Sequence, residues 1–193
     1  MKLPALPVRI VAAAVLLVLA LVGLVVREGM ARAEGQEVVL AITGYDPREL
    51  LTGHYVQFQF RSELPTGTPC PPGSGGYSRR PDAWVELRRH GDHHVAAGAA
   101  LSREAALKLG EVAVRGDIDC LARGAPETTW VILNLGVDRL HADQAQAEAI
   151  QKVMLATRDG PATGSAVVSV GADGKARLKG VTAGGRRVDL TWF

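Results

Sequence analysis

The placement of apolar and polar positions divides the chain near residue 35, with an unbroken apolar run before it and short alternating stretches after it. Ile10 to Val26 is seventeen consecutive apolar or glycine residues, close to the roughly 20 that cross a bilayer as a helix. Gln36 to Thr43 (Q-E-V-V-L-A-I-T) is rich in β-branched residues and bounded by Gly35 and Gly44, which predicts a strand. Tyr45 to Phe60 then holds a helix start, a helix stop and a strand. Asp46 has the chemistry of an N-cap, Pro47 suits the first helical position, and Glu49 completes the spacing of a capping box. Leu50 and Leu51 form the apolar side of this short helix over 47–52, and Gly53 is placed to end it. In the following strand, 54–61, Val56, Phe58 and Phe60 alternate with Tyr55, Gln57 and Gln59, the period of a half-buried strand.

The rest of the chain is read by the same signals. Ser62 to Pro81 contains Pro65, Pro69, Pro71, Pro72 and Pro81 with glycines between, and reads as loop, either a tolerated insertion or a functional flap. Ala83–Arg89 and His94–Gly98 flank Gly91-Asp92 as a hairpin. Ser102 caps a short helix through Leu109, and Glu111–Asp119 follows as one strand with Gly116 marking a bulge. Thr128–Leu135 is the most strongly β-prone run and is expected to be central. Ala142–Arg158 is a helix, with Ala145, Ala149, Ile150, Val153 and Met154 inward and Asp143, Gln146, Glu148 and Lys152 outward. Ser165–Val170 and Lys175–Val181 form a second hairpin across Ala172-Asp173-Gly174. Arg187–Phe193 is a last strand with Val188, Leu190 and Trp192 on one face. The fold class is therefore α+β, mainly antiparallel β with one substantial helix in the C-terminal half, preceded by a single N-terminal transmembrane helix. The organisation is 1–9 cytoplasmic, 10–26 membrane-spanning, 27–35 linker and 36–193 an extracytoplasmic domain.

Charge sharpens this division. The chain carries 22 basic and 20 acidic residues. Setting aside Lys2, Arg9, Arg27, Arg32 and Glu28 leaves 18 against 19, so the domain is nearly neutral. A neutral domain has no electrostatic footprint for nucleic acid, and that class of partner is excluded. Lys2 and Arg9 precede the apolar run while Arg27 and Glu28 nearly cancel behind it, which places the N-terminus in the cytoplasm. Ala31-Arg32-Ala33 has the form of a signal-peptidase site, so the alternative to a retained anchor is cleavage after Ala33 and a soluble periplasmic binding protein. Either way the domain sits in an oxidising compartment. There Cys70 and Cys120 either pair, closing a loop of about 50 residues, or remain as separate thiols.

Candidate chemistry is sparse. His90, Asp92, His93 and His94 have the residue types of a zinc site but no standard spacing and no further ligand group nearby, and a solvated hairpin tip is the favoured reading. His54 has Asp46 as its nearest candidate partner for acid–base work, against a purely structural role for the segment. There is no G-x-S-x-G elbow, S-x-x-K pair, Walker A loop or dinucleotide glycine pattern. No cofactor and no metal are expected.

Gly53-His54-Tyr55-Val56-Gln57-Phe58-Gln59-Phe60 resembles the motif of the GDYXXLXY family of bacterial membrane-anchored proteins, and Asp46 to Thr52 resembles that family's D-P-R-D-L-L-R-G lead-in. Gly53 and Tyr55 match, Phe58 and Phe60 stand for Leu and Tyr, and His54 stands where the motif has Asp. Leu135 to Leu140 (L-G-V-D-R-L) is similar to the family's G-I-E-R-Y segment. The resemblance implies a protein of the bacterial inner membrane with its domain on the periplasmic side, no assigned activity, and genomic neighbours that are multi-pass membrane proteins. The function expected is a non-catalytic interaction module partnering a membrane protein, with Asp46, Pro47, Gly53, His54, Tyr55, Phe58 and Phe60 at its contact surface. A strand at the sheet edge there would be able to pair with a partner. The alternative is an envelope hydrolase or metal-dependent enzyme using His54 or the His90–His94 group.

Overall fold

The alternating segments beyond Gly35 assemble into one sheet of eleven strands in the computed structural model, which describes residues 6–44, 55–74, 83–123, 128–141, 143–155 and 164–190. The elements are α1 (Leu6–Glu34), β1 (Gln36–Gly44), β2 (Tyr55–Leu64), β3 (Trp84–His90), β4 (His93–Ala100), α2 (Arg103–Leu107), β5 (Val112–Arg115), β6 (Asp117–Arg123), β7 (Thr128–Asn134), β8 (Arg139–His141), α3 (Gln144–Leu155), β9 (Gly164–Val170), β10 (Ala176–Ala183) and β11 (Arg186–Asp189). The α+β, mainly antiparallel class read from the sequence is the class observed. α1 is long and apolar enough to cross a membrane. It continues as helix through the stretch 27–34 assigned to a linker. The helix expected over 47–52 lies outside the described residues.

The main path runs β11-β10-β9-β1-β2-β7-β6. One edge of β1 pairs with β9 from Gln36 to Ile42, and the other is shared by β4 at Leu40 and β2 from Ile42 to Gly44. The β1–β4 pair is parallel, and every other pair is antiparallel. β7 has partners on both sides, as expected of Thr128–Leu135, although β1 is the strand on which the two halves of the sheet meet. Val38, Leu40 and Ile42 of β1, Val56, Phe58 and Phe60 of β2, and Ala166 and Val168 of β9 fill the core.

Three sequence expectations are corrected. Glu111–Asp119 is two strands, because at Gly116 the chain leaves β3 as a partner and takes up β7. A side chain at Gly116 would meet the Asn134 carbonyl oxygen at 2.6 Å, so the crossing needs glycine. α3 buries Ala147, Ile150 and Met154, while Ala145 faces solvent and Ala149 and Val153 are half-buried. Asp143 caps this helix, its Oδ1 accepting from the Gln146 amide at 3.0 Å. The proline-rich stretch gives its first residues to β2, and 65–74 is pinned down. Pro71 is buried, the Pro72 carbonyl accepts from Ala99 N at 2.8 Å, and Cys70 is bonded to Cys120 of β6.

On β3, Val85 and Leu87 enter the core, and Glu86 points to the opposite face yet is 0% exposed. Its ladder neighbours are Gly98 and Ala113, both small, and a Cβ on Gly110 would lie 1.8 Å from its Oε1. Among the described residues neither carboxyl oxygen has a hydrogen-bond partner. Burial pushes the Glu86 carboxyl above its ordinary 4.5, with Arg88 pulling weakly the other way. A carboxyl whose folded value is raised binds a proton more readily folded than unfolded. Its contribution is therefore greatest below 4.5 and is lost as pH rises through the folded value. Glu86→Met, of similar size and without the unsatisfied oxygens, is expected to stabilise the domain by about 1–3 kcal/mol at neutral pH. The advantage should shrink as denaturation midpoints are measured at progressively lower pH. A variant less stable than the parent at pH 7.5 would sink this account.

Candidate functional site

The motif strand β2 is an interior strand. β1 covers one edge at residues 58–60, while β8 takes 55–57 and β7 takes 60–64 on the other. From Phe58 to Phe60 both edges are thus engaged by the domain itself, which closes that stretch to pairing with a partner strand. Phe58 and Phe60 are core residues, their rings 5.4 Å apart at 82°, rather than contact-surface residues. Tyr55 opens the strand opposite His141. Asp46, Pro47, Gly53 and His54 lie outside the described residues.

Alternation turns the other face of β2 outward. Gln57 and Gln59 are half-buried there and line a cleft of about 630 Å³ with Arg115, Asp117, Asn134 and the loop 135–138. That loop is the second segment carrying the family resemblance. After β7, Gly136 takes φ 75° and turns the chain back toward β2. The Phe58 amide donates to the Asp138 carbonyl oxygen at 3.0 Å, and Gln57 Nε2 donates to Asp138 Oδ2 at 3.3 Å. β8 follows directly and pairs with Tyr55–Gln57. Two segments about 80 residues apart therefore form one structure. Their side-chain amides, with Asn134 (which donates to Asp119 Oδ2 at 3.1 Å), supply both donors and acceptors. Leu133, Leu135 and Val137 add an apolar lining. Such a wall, with Arg115, Asp117 and Asp138 in its lining, suits a polar, hydrogen-bonding ligand. The sequence reading placed Gln57 and Gln59 on the outer face of the motif strand without assigning them a role. Arg115, Asp117 and Asn134 carried no local signal.

One rim of the cleft is tied to α1. Arg115 donates through its backbone amide to Gly174 O at 2.8 Å and through Nε to Asp173 O at 3.0 Å. The Asp173 carboxylate accepts from both terminal nitrogens of Arg177, at 3.1 and 3.0 Å. The same guanidinium, 7% exposed, holds Glu28 of α1, with Oε2 at 3.0 Å. The Arg177 guanidinium holds the Asp173 carboxyl well below the usual carboxylate range. A turn further along α1, Arg32 donates to the carbonyls of Lys179 and Leu190. The helix is thus bolted to the β9–β10 hairpin.

The histidine group does not converge. His93 Nδ1 lies 2.9 Å from Asp92 Oδ1, and the rings of His90 and His93 meet edge to face at 5.8 Å, all at the tip of the β3–β4 hairpin. His94 lies apart, its Nδ1 accepting from the Val39 amide at 3.2 Å where β4 meets β1. Burial pushes its pKa down, and the accepting nitrogen likewise requires the neutral ring. Among the described residues no three His, Cys, Asp or Glu side chains gather as a metal site.

A family model described as GDYXXLXY protein matches residues 17–181. No curated protein and no solved structure matches the chain.

Proposed function

The chain belongs to the GDYXXLXY protein family, and we propose on that premise that it is a non-catalytic interaction module held in the bacterial inner membrane by α1. The domain faces the periplasm, and the cleft beside β2 receives a hydrogen-bonding extracytoplasmic loop of a multi-pass membrane protein. The observation that carries this reading is the joining of the two motif segments in one cleft whose rim is linked, through Arg115, Asp173 and Arg177, to Glu28 of α1. A site tied to its own anchor suits a partner in the same membrane. Retention of α1 is favoured over cleavage after Ala33 by the contacts of Glu28 and Arg32, which cleavage would remove.

Gln59→Arg fills the cleft from an outward position and is expected to leave stability within about 0.5 kcal/mol. It should weaken the partner by about 2 kcal/mol, roughly 30-fold, if Gln59 sits centrally in the contact. The measurement is affinity purification from gently solubilised native membranes, combined with a photo-crosslinking residue at position 59 and a control at Arg88. Crosslinking of a multi-pass protein from position 59 alone, lost with a blocked cleft, supports the module. Recovery of the folded protein without any partner, or equal crosslinking from both positions, sinks it.

A further inference from the structure

The end of the domain at which α1 emerges carries a collar of cations beside an aromatic ring. The apolar run ends at Val26, and Glu28 is held by Arg177 together with Asp173. At 1.5 Å rise per residue Glu28 lies about 3 Å beyond the last apolar residue, whereas the headgroup layer extends roughly 5–8 Å beyond the hydrocarbon on each side. In a bilayer whose hydrocarbon ends at Val26, the β9–β10 turn bearing Asp173 lies at headgroup depth. Beside it, Lys175 and Arg115 are exposed and Trp84 is partly exposed, and Arg27 is exposed at the position next to Glu28 on α1. A Cβ on Gly174 would lie 2.3 Å from the Trp84 ring, and the Arg115 guanidinium lies 5.0 Å from that ring's centre. Arg27, Arg115, Lys175 and Arg177 stand against Glu28 and Asp173, an excess of two positive charges in a domain that is otherwise nearly neutral. Arg177 offsets one of the two carboxylate charges and an exposed cation the other, which leaves two of the three exposed cations uncompensated.

We propose that this collar binds the phosphate groups of the bilayer holding α1, seating the domain on the membrane surface with Trp84 at the headgroup level. The inference rests on the anchored reading above. Trp is the side chain suited to that depth, its ring apolar and its N–H able to meet water or phosphate. Arginine and lysine supply the attraction to anionic lipid. Arg177 acts differently, locking the turn to α1 so that the exposed cations cannot swing away. Seating would also present the adjoining cleft, whose rim is Arg115, to the juxtamembrane part of a neighbouring protein.

The test uses the full chain reconstituted into vesicles of phosphatidylcholine with and without phosphatidylglycerol. A headgroup-attached spin label quenches nearby tryptophan, and the Trp84 component is the difference between the parent protein and Trp84→Phe. The Trp84 component should be quenched in both vesicles and more strongly with phosphatidylglycerol. Arg27→Gln combined with Lys175→Gln should lower the seated-to-free ratio by roughly 30-fold on anionic vesicles, about fivefold per cation. High salt should act in the same direction on the parent. Protein that stays with the vesicles after an alkaline wash but shows no Trp84 quenching overturns the seating alone. The same holds for quenching indifferent to lipid charge and to both substitutions, or present only with a co-reconstituted protein. Protein released by the alkaline wash overturns the anchored reading, and the seating with it.

Discussion

Phe58→Ala is expected to destabilise the domain by about 3–5 kcal/mol, a large share of the roughly 5–15 kcal/mol that holds a typical domain together. Phe58 is 1% exposed and its ring meets Phe60 edge to face, so truncation removes both burial and an aromatic contact. Across the ladder its β1 partner is Gly44, which has no side chain to relax into the vacancy. Gly44 cannot be enlarged to compensate, since a Cβ there would lie 2.8 Å from Met154 Cβ. Phe58→Leu, which restores the motif's own residue type, should recover most of the loss. Urea denaturation of the detergent-solubilised chain measures both. An Ala midpoint equal to the parent's would mean that Phe58 is not core. This result separates two meanings of a motif residue: at Phe58 a lost partner would follow from unfolding, whereas at Gln59 it would not.

Opening the Cys70–Cys120 bridge, by paired serine substitutions or by reduction, is expected to cost about 4 kcal/mol, from the chain entropy of a loop of roughly 50 residues. The bridge spans 50 positions and fastens the proline-rich stretch to β6, next to the β6–β7 ladder where Cys120 faces Val131. Other contacts hold that stretch more weakly: Pro72 O on Ala99 N, and Ser74 N on Pro71 O at 3.1 Å. The loss should therefore appear as a lower denaturation midpoint with little change in the folded domain. An unchanged midpoint after complete reduction would show that the unfolded chain gains no freedom from the cut. A bridge of this kind also suits an oxidising compartment, in line with the periplasmic placement proposed for the domain.

What the sequence determined by itself was local. Seventeen apolar residues define a helix able to cross a membrane whatever surrounds it. The alternation in Val56–Phe60 assigns a buried and an outer face to β2, and Ser102, Gly91-Asp92 and Asp173-Gly174 mark a cap and two turns, because periodicity and capping act over a few residues. The family resemblance in 53–60 and 135–140 was likewise readable in short segments, but their meeting was not. The tertiary structure decided which strands pair. It made β2 an interior strand, ended β5 at Gly116 so that β6 could join β7, and rotated α3 to bury Ala147 in place of Ala145. It also decided that one arginine, Arg177, would hold carboxylates from residues 28 and 173, and that Glu86 would be buried with no hydrogen-bond partner among the described residues. Each of these depends on contacts between residues far apart in the chain, whose free energy comes from shared burial and so has no signature in any single stretch.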